Sequence, residues 1–274
     1  MGMIIETVKQ GKPIPVPVID THVHLGACAD SGLFQPFTSL DDTMQYCDEV
    51  GIDVLVTSPI SLSLGDMKRT NREAVEAMAQ YPGRIYGNIF VSPSDGVEAV
   101  KPIVDKYMKT EGFVGMKFLT GFFGEMDRPE YDYAIAAAVE AKCPVTIHMY
   151  GKQPSKKSVL NVLEKYPTLK LILAHQGGGY EEDTRFWAEL MQEKYPSLYL
   201  DTCGSLNNAL GLWEMAQICG EDRLVYGSDI LFMEPRYELG RIAFSGMPEE
   251  VMKKIYAENY LKILEGSQLS KITL

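Results

Sequence analysis

The sequence lacks long apolar runs and basic clusters, and it has few histidines. No stretch approaches the ~20 apolar residues a membrane-spanning helix needs, so no membrane partner is expected. The first 17 residues carry no signal-peptide core, because Lys9, Gly11, Lys12 and three prolines interrupt their apolar residues. Net charge is −11. The short pairs Lys156-Lys157 and Lys253-Lys254 read as solvated helix faces, so no nucleic-acid partner is expected. The five cysteines are scattered, odd in number and without a C-x-x-C pair, which predicts reduced thiols in a cytoplasmic protein. No G-x-G-x-x-G follows the first candidate strand, which argues against a dinucleotide-binding fold. Gly177-Gly178-Gly179 lacks the lysine and serine of a phosphate loop. There is no internal repeat, low-complexity tract or domain linker.

What is there is an alternation. Short apolar runs predict strands at Val16–Asp20, Asp53–Ser58, Ile85–Phe90, Phe113–Phe118, Val145–His148, Leu169–Ala174, Leu198–Asp201 and Leu224–Tyr226. They are near-continuously apolar, as parallel strands covered on both faces are. Helical spacing fills the gaps. Leu40, Met44, Cys47 and Val50 mark one helix, with Ser39 and Asp42 as a capping pair and Gly51 as its stop. Others follow at 71–81, 97–108, 131–141, 159–166, 183–195, 206–219 and 249–264. Eight strand–helix units in order predict a single-domain (β/α)8 TIM barrel over 1–274, with 1–15 as an N-terminal lead-in.

The chain has only four histidines, and all follow apolar runs. His22 and His24 close the first predicted strand, His148 the fifth, and His175 follows the sixth. Alternation along a strand puts Asp20, His22 and His24 on one face. Lys117 lies near the end of strand four, and Gly227-Ser228-Asp229 follows strand eight. In a barrel all these positions open onto one mouth. Imidazoles and a carboxylate so gathered suit Zn²⁺ or a similar divalent ion, which lowers the pKa of a bound water toward ~7.

Four segments carry a family resemblance: Ile-Asp-Thr-His-Val-His (19–24), Val-Thr-Ile-His (145–148), Leu-Ala-His-Gln-Gly-Gly (173–178) and Tyr-Gly-Ser-Asp (226–229). They resemble the signature segments of the amidohydrolase superfamily, most closely its amidohydrolase-related branch of metal-dependent hydrolases and non-oxidative decarboxylases. Asn71 to Arg84, Asn88 to Pro93, and Ala257-Glu258-Asn259-Tyr260 are similar to further family segments. The likeness spans Val18 to Leu264. It implies that His22, His24, His148 and Asp229 hold the metal, with Asp229 alternatively taking a proton from the attacking water. It implies that His175 polarises the substrate or moves a proton. Lys117 stands where binuclear relatives hold a bridging, carboxylated lysine, which leaves one or two ions. A homodimer is common among such proteins.

Simpler readings stand beside these. Lys117 reads equally as a metal bridge, a contact for a substrate anion, or a lysine snorkelling out of the mouth. Asp20 reads as a partner behind the ligands, not as a ligand itself. Cys28 and Cys203 read as small buried hydrophobes, and Phe122 and Phe123 as loop packing. Tyr150 and Arg236 are the loop candidates for substrate contact. The resulting expectation is a hydrolase that uses metal-activated water on an amide, ester or lactone of a small molecule. Zn²⁺ is the first choice of ion and Mn²⁺ the second. Decarboxylation of an aromatic or unsaturated acid is the alternative. The branch's decarboxylases are expected to carry longer loops than this chain has.

Overall fold

The computed structural model describes residues 2–25, 39–59, 66–149, 154–204 and 209–274. Eight parallel strands lie in chain order around one sheet: β1 (Ile19–Val23), β2 (Val54–Thr57), β3 (Ile85–Val91), β4 (Phe113–Phe118), β5 (Val145–Ile147), β6 (Leu171–Leu173), β7 (Leu198–Asp201) and β8 (Leu224–Val225). The edges meet through Thr21 N–H, which donates to Tyr226 O at 3.0 Å, and a parallel bridge between Val23 and Ile230. The helices are α1 (Met3–Lys9), α2 (Leu40–Val50), α3 (Met67–Gln80), α4 (Val97–Tyr107), α5 (Thr120–Phe123), α6 (Pro129–Ala141), α7 (Lys156–Lys165), α8 (His175–Gly178), α9 (Glu181–Glu193), α10 (Ala209–Cys219), α11 (Pro235–Ala243), α12 (Glu249–Lys253) and α13 (Asn259–Leu264). This is the expected (β/α)8 barrel in one domain. A π-helical stretch, Lys254–Glu258, joins α12 to α13.

The local chemistry explains the elements. Ser39 Oγ accepts from Asp42 N–H at the start of α2, and Gly51 ends that helix at φ 85°. A left-handed stop of this kind suits glycine, which has no Cβ to clash. Four described helices lie outside the expected pattern: α1 within the lead-in, the short α5 and α8 after β4 and β6, and α11 within what reads as a connection from 230 to 247. Glu234 caps α11 by accepting from Arg236 N–H, and Pro235 opens it.

The apolar residues divide into two layers. The larger cluster lies between strands and helices. The smaller one joins Ile19, Val54, Val56, Val114, Ile172 and Val225 to Ala257, Tyr260, Ile263 and Leu264. That last segment crosses the N-terminal strand ends: Lys170 Nζ donates to Ile263 O, and Ser270 N–H donates to Phe113 O. The interior is thus plugged with apolar side chains at the bottom, and its polar residues collect at the top.

This layering corrects one expectation. Ile19 belongs to the interior plug, so strict alternation would turn His22 outward. The register of β1 against β2 shifts between Asp20 and Val23. The irregularity brings His22 back inside and leaves Asp20 on a different face from the histidines. Irregularities of this kind re-aim side chains beside active sites.

Candidate active site

The cluster starts from β1. His24 Nδ1 lies 2.9 Å from Ser58 O. A carbonyl can only accept, so Nδ1 carries the proton and Nε2 keeps its lone pair. His22 Nδ1 lies 2.7 Å from Asp201 Oδ2, which fixes the same tautomer. The two Nε2 atoms are 3.0 Å apart. Asp229 Oδ1 lies 3.2 Å from Nε2 of His24 and 3.5 Å from Nε2 of His22. Three lone-pair atoms therefore converge, and all three side chains are buried. Such convergence is repulsive unless a cation sits among the donors, and this N,N,O set suits a divalent one. Lys117 Nζ, 2.8 Å from His22 Nε2, is the donor the described residues set against it.

The turn after β8 delivers Asp229. Gly227 passes close behind His22, where an added Cβ would lie 2.8 Å from His22 Cβ. Asp229 sits at φ 61° and His175 at φ 53°, left-handed conformations that side chains rarely adopt. Strain of ~1–3 kcal/mol per residue persists only where the surroundings enforce it, and it clusters at working sites.

His148 stands one step further out. Its Nδ1 is 3.1 Å from His175 Nε2, and that contact is a hydrogen bond only if one of the nitrogens is protonated. The Phe122 ring lies over His148, with centroids 5.1 Å apart, and Phe232 meets His24 edge-on at 5.4 Å. Phe122 is 58% exposed and so presents an apolar face at the mouth, contrary to the expectation that it packs the loop. Phe123 does pack against the core.

Burial and then the Lys117 charge push His22 well below the ordinary imidazole range. Burial, followed by His175, does the same for His148, and burial also lowers His175 and Lys117. Burial alone would raise Asp229, but positive charge placed beside it, at His22 first, outweighs burial and holds its carboxyl low. Burial thus favours neutral His22, His148 and His175, while positive charge beside Asp229 favours its carboxylate, and both are the protonation states that metal ligands require.

Not every candidate joins the cluster. Asp20 accepts from the backbone N–H groups of His22 and Ser228 at 3.2 and 3.0 Å, so it touches the histidine through the chain and not through the ring. Arg236 is bonded to Glu234 and lies over the Tyr46 ring, and no contact among the described residues links it to the histidines. Tyr150 and Cys28 lie outside the described residues. Two residues at β7 were not singled out as chemistry in the sequence. Asp201 bonds His22 directly, and Cys203 Sγ lies 3.1 Å from His22 Nδ1 and 3.3 Å from His175 Nδ1. The signal for Asp201 was present: it is an acid at the end of an apolar run, as Asp229 is beyond another.

A family model described as Amidohydrolase matches residues 19–265, which include every member of this cluster. The chain belongs to the amidohydrolase family. Members of this family are metal-dependent enzymes, in agreement with the donor set. Solved structures repeat the amidohydrolase barrel at low identity. One is 2,6-dihydroxybenzoate decarboxylase from Rhizobium, at 14% identity and TM-score 0.73, matching over 93% of this chain and 99% of that one. Another is a dihydroxybenzoic acid decarboxylase from Polaromonas with bound manganese and the inhibitor 2-nitroresorcinol (19%, TM-score 0.68, 91% and 96%). A third is 5-carboxyvanillate decarboxylase from Sphingomonas paucimobilis (14%, TM-score 0.66, 91% and 98%). The size expectation is therefore overturned: these decarboxylases are matched almost end to end, and this amidohydrolase is not short beside them. No helix among the described residues is long and apolar enough to cross a membrane.

Proposed function

We propose that this amidohydrolase is a metal-dependent, non-oxidative decarboxylase of a small aromatic carboxylic acid. The observation that carries this choice over hydrolysis is the end-to-end likeness to decarboxylases of hydroxylated benzoic acids. The geometry adds the phenyl faces of Phe122 and Phe232 beside the histidines, where a flat ring would find stacking partners.

In this reading His22, His24 and Asp229 hold one ion, and His148 is the fourth ligand. Zn²⁺ or Mn²⁺ suits the set. When bound, the ion supplies positive charge for the substrate's oxygen atoms and for the charge that develops beside them. The bond between ring carbon and carboxyl carbon breaks and CO₂ leaves. The electron pair stays on the ring carbon, which takes one proton from His175, and solvent restores that proton. Lys117, with its Nζ 2.8 Å from His22 Nε2, would contact the substrate's anionic group.

The test is a panel of hydroxybenzoic acids, amides, esters and lactones supplied to metal-loaded enzyme. CO₂ should appear in step with loss of an acid, and the product should carry one solvent deuterium when the reaction is run in D₂O. Release of acid from an amide, ester or lactone, without CO₂, would instead establish the hydrolase.

A further inference from the structure

The carboxylate behind the His22 ring is Asp201 and not Asp20, which the sequence pattern places behind the ligands. Asp201 ends β7 and is fully buried. Its Oδ2 lies 2.7 Å from His22 Nδ1. Its Oδ1 accepts from the backbone N–H of His175 at 2.8 Å and from the Cys203 thiol at 3.1 Å. One side chain thus grips a proposed metal ligand by its ring and the proposed proton carrier by its backbone. Both oxygens are used: Oδ1 by the His175 N–H and the Cys203 thiol, and Oδ2 by the His22 ring nitrogen, which donates to an ionised carboxylate.

We propose that Asp201 is the positioning residue of this site: it sets the His22 tautomer that leaves Nε2 free for a metal, and it holds the strained His175 turn in place. The inference rests on the reading above only in taking His22 as a ligand. Its logic shows in Asp201→Asn, which changes one oxygen to an NH₂ group and little else. The backbone N–H of His175 cannot accept, so it keeps the remaining oxygen. The new NH₂ then faces His22 Nδ1, and Nδ1 must accept from it. The His22 proton is thereby driven to Nε2, the atom the metal needs. Partners behind metal-bound histidines are worth about 10–100-fold in metal affinity.

Two measurements test this on the full chain. The first is imidazole ¹⁵N spectroscopy of the metal-free wild type, where His22 should be the Nδ1–H tautomer. The second is titration of metal-free protein with Zn²⁺ and Mn²⁺ against a competing chelator. Asp201→Asn should bind about 10–100-fold more weakly than wild type, with its His22 shifted toward the Nε2–H form. An Nε2–H tautomer in the wild type, or wild-type affinity in Asp201→Asn, would overturn the inference. Should the variant fail to fold, the wild-type tautomer alone decides. A wild type that binds no divalent metal would defeat the proposed function, yet the tautomer would still report on Asp201.

Discussion

At the level of single residues, the proposed reading separates side chains that would hold the metal from side chains that would act on the substrate. His22, His24 and Asp229 point their acceptor atoms at one spot, whereas His175 faces His148 across 3.1 Å. A His175→Ala substitution should therefore leave metal affinity within a few-fold and lower kcat by about 10²–10⁴, the usual range for a lost proton-transfer group. Equilibrium metal binding and steady-state rates on the same preparation check the split. His22→Ala should lose both together. Phe122 makes a different case. Its ring is more exposed than buried and rests on His148, so the fold gains little from it. In Phe122→Ala the unfolding free energy should stay within about 0.5 kcal/mol of wild type. KM for an aromatic acid should rise several-fold, because the stacking partner is gone. Unchanged KM on the best substrate would show that the ring approaches from elsewhere.

At the level of elements, the strand ends decide what is displayed, and this is where the sequence was most and least legible. Strands β4 and β7 lie where the apolar runs place them, five others differ by one or two residues at an end, and β1 lies three residues later than expected. Ordered histidines at those ends were visible because four scarce residues all fell at equivalent places. The shift in β1 was not visible, since Val16 to Val23 is apolar enough to fit either register, and only pairing with β2 selects one. Asp201 was missed for a physical reason too. An acid closing a strand is ordinary until a neighbouring strand brings an imidazole within 2.7 Å of it. Helix α11 could have been found from Glu234-Pro235 as a start signal and Leu239, Ile242 and Ala243 on its buried face. The turn after β8 also depends on close approach. Gly227→Ala would place a methyl group 2.8 Å from His22 Cβ, against a strand that cannot move freely. Either His22 or the Asp229 turn must shift by several tenths of an ångström. Metal affinity should fall by an order of magnitude or more while circular dichroism stays that of the barrel, as titration of purified variant and wild type will show.

At the level of the whole molecule, the site sits on the fold's own stability, because its polar groups are buried together above an apolar plug. A ligand that binds only the folded chain stabilises it by mass action, by about 2.7 kcal/mol at a hundred times its dissociation constant. Chelation should therefore lower the melting temperature, and added Zn²⁺ or Mn²⁺ should restore it. The metal-free chain carries a further pH dependence through Asp20. Its Oδ1 accepts two backbone N–H groups, whereas its Oδ2 has no partner among the described residues. Ionised, that second oxygen would be a bare buried charge. Burial accordingly raises its pKa from 3.8 to about 7, against the hydrogen bonds from Ser228 and His22 that favour the anion. A carboxyl raised in the folded state binds more protons folded than unfolded between those two values. Stability from this group is therefore present below pH ~4, declines as pH rises, and is lost by pH ~7. About three pH units at about 1.4 kcal/mol each give a decline of order 4 kcal/mol. Asp20→Asn keeps an acceptor oxygen for both N–H groups and cannot ionise. Denaturant unfolding of the metal-free proteins from pH 4 to pH 8 should show wild type losing stability relative to Asp20→Asn as pH rises, with the gap constant above pH 7. Parallel curves across that range would mean that Asp20 is ionised throughout and that a buried partner satisfies its second oxygen.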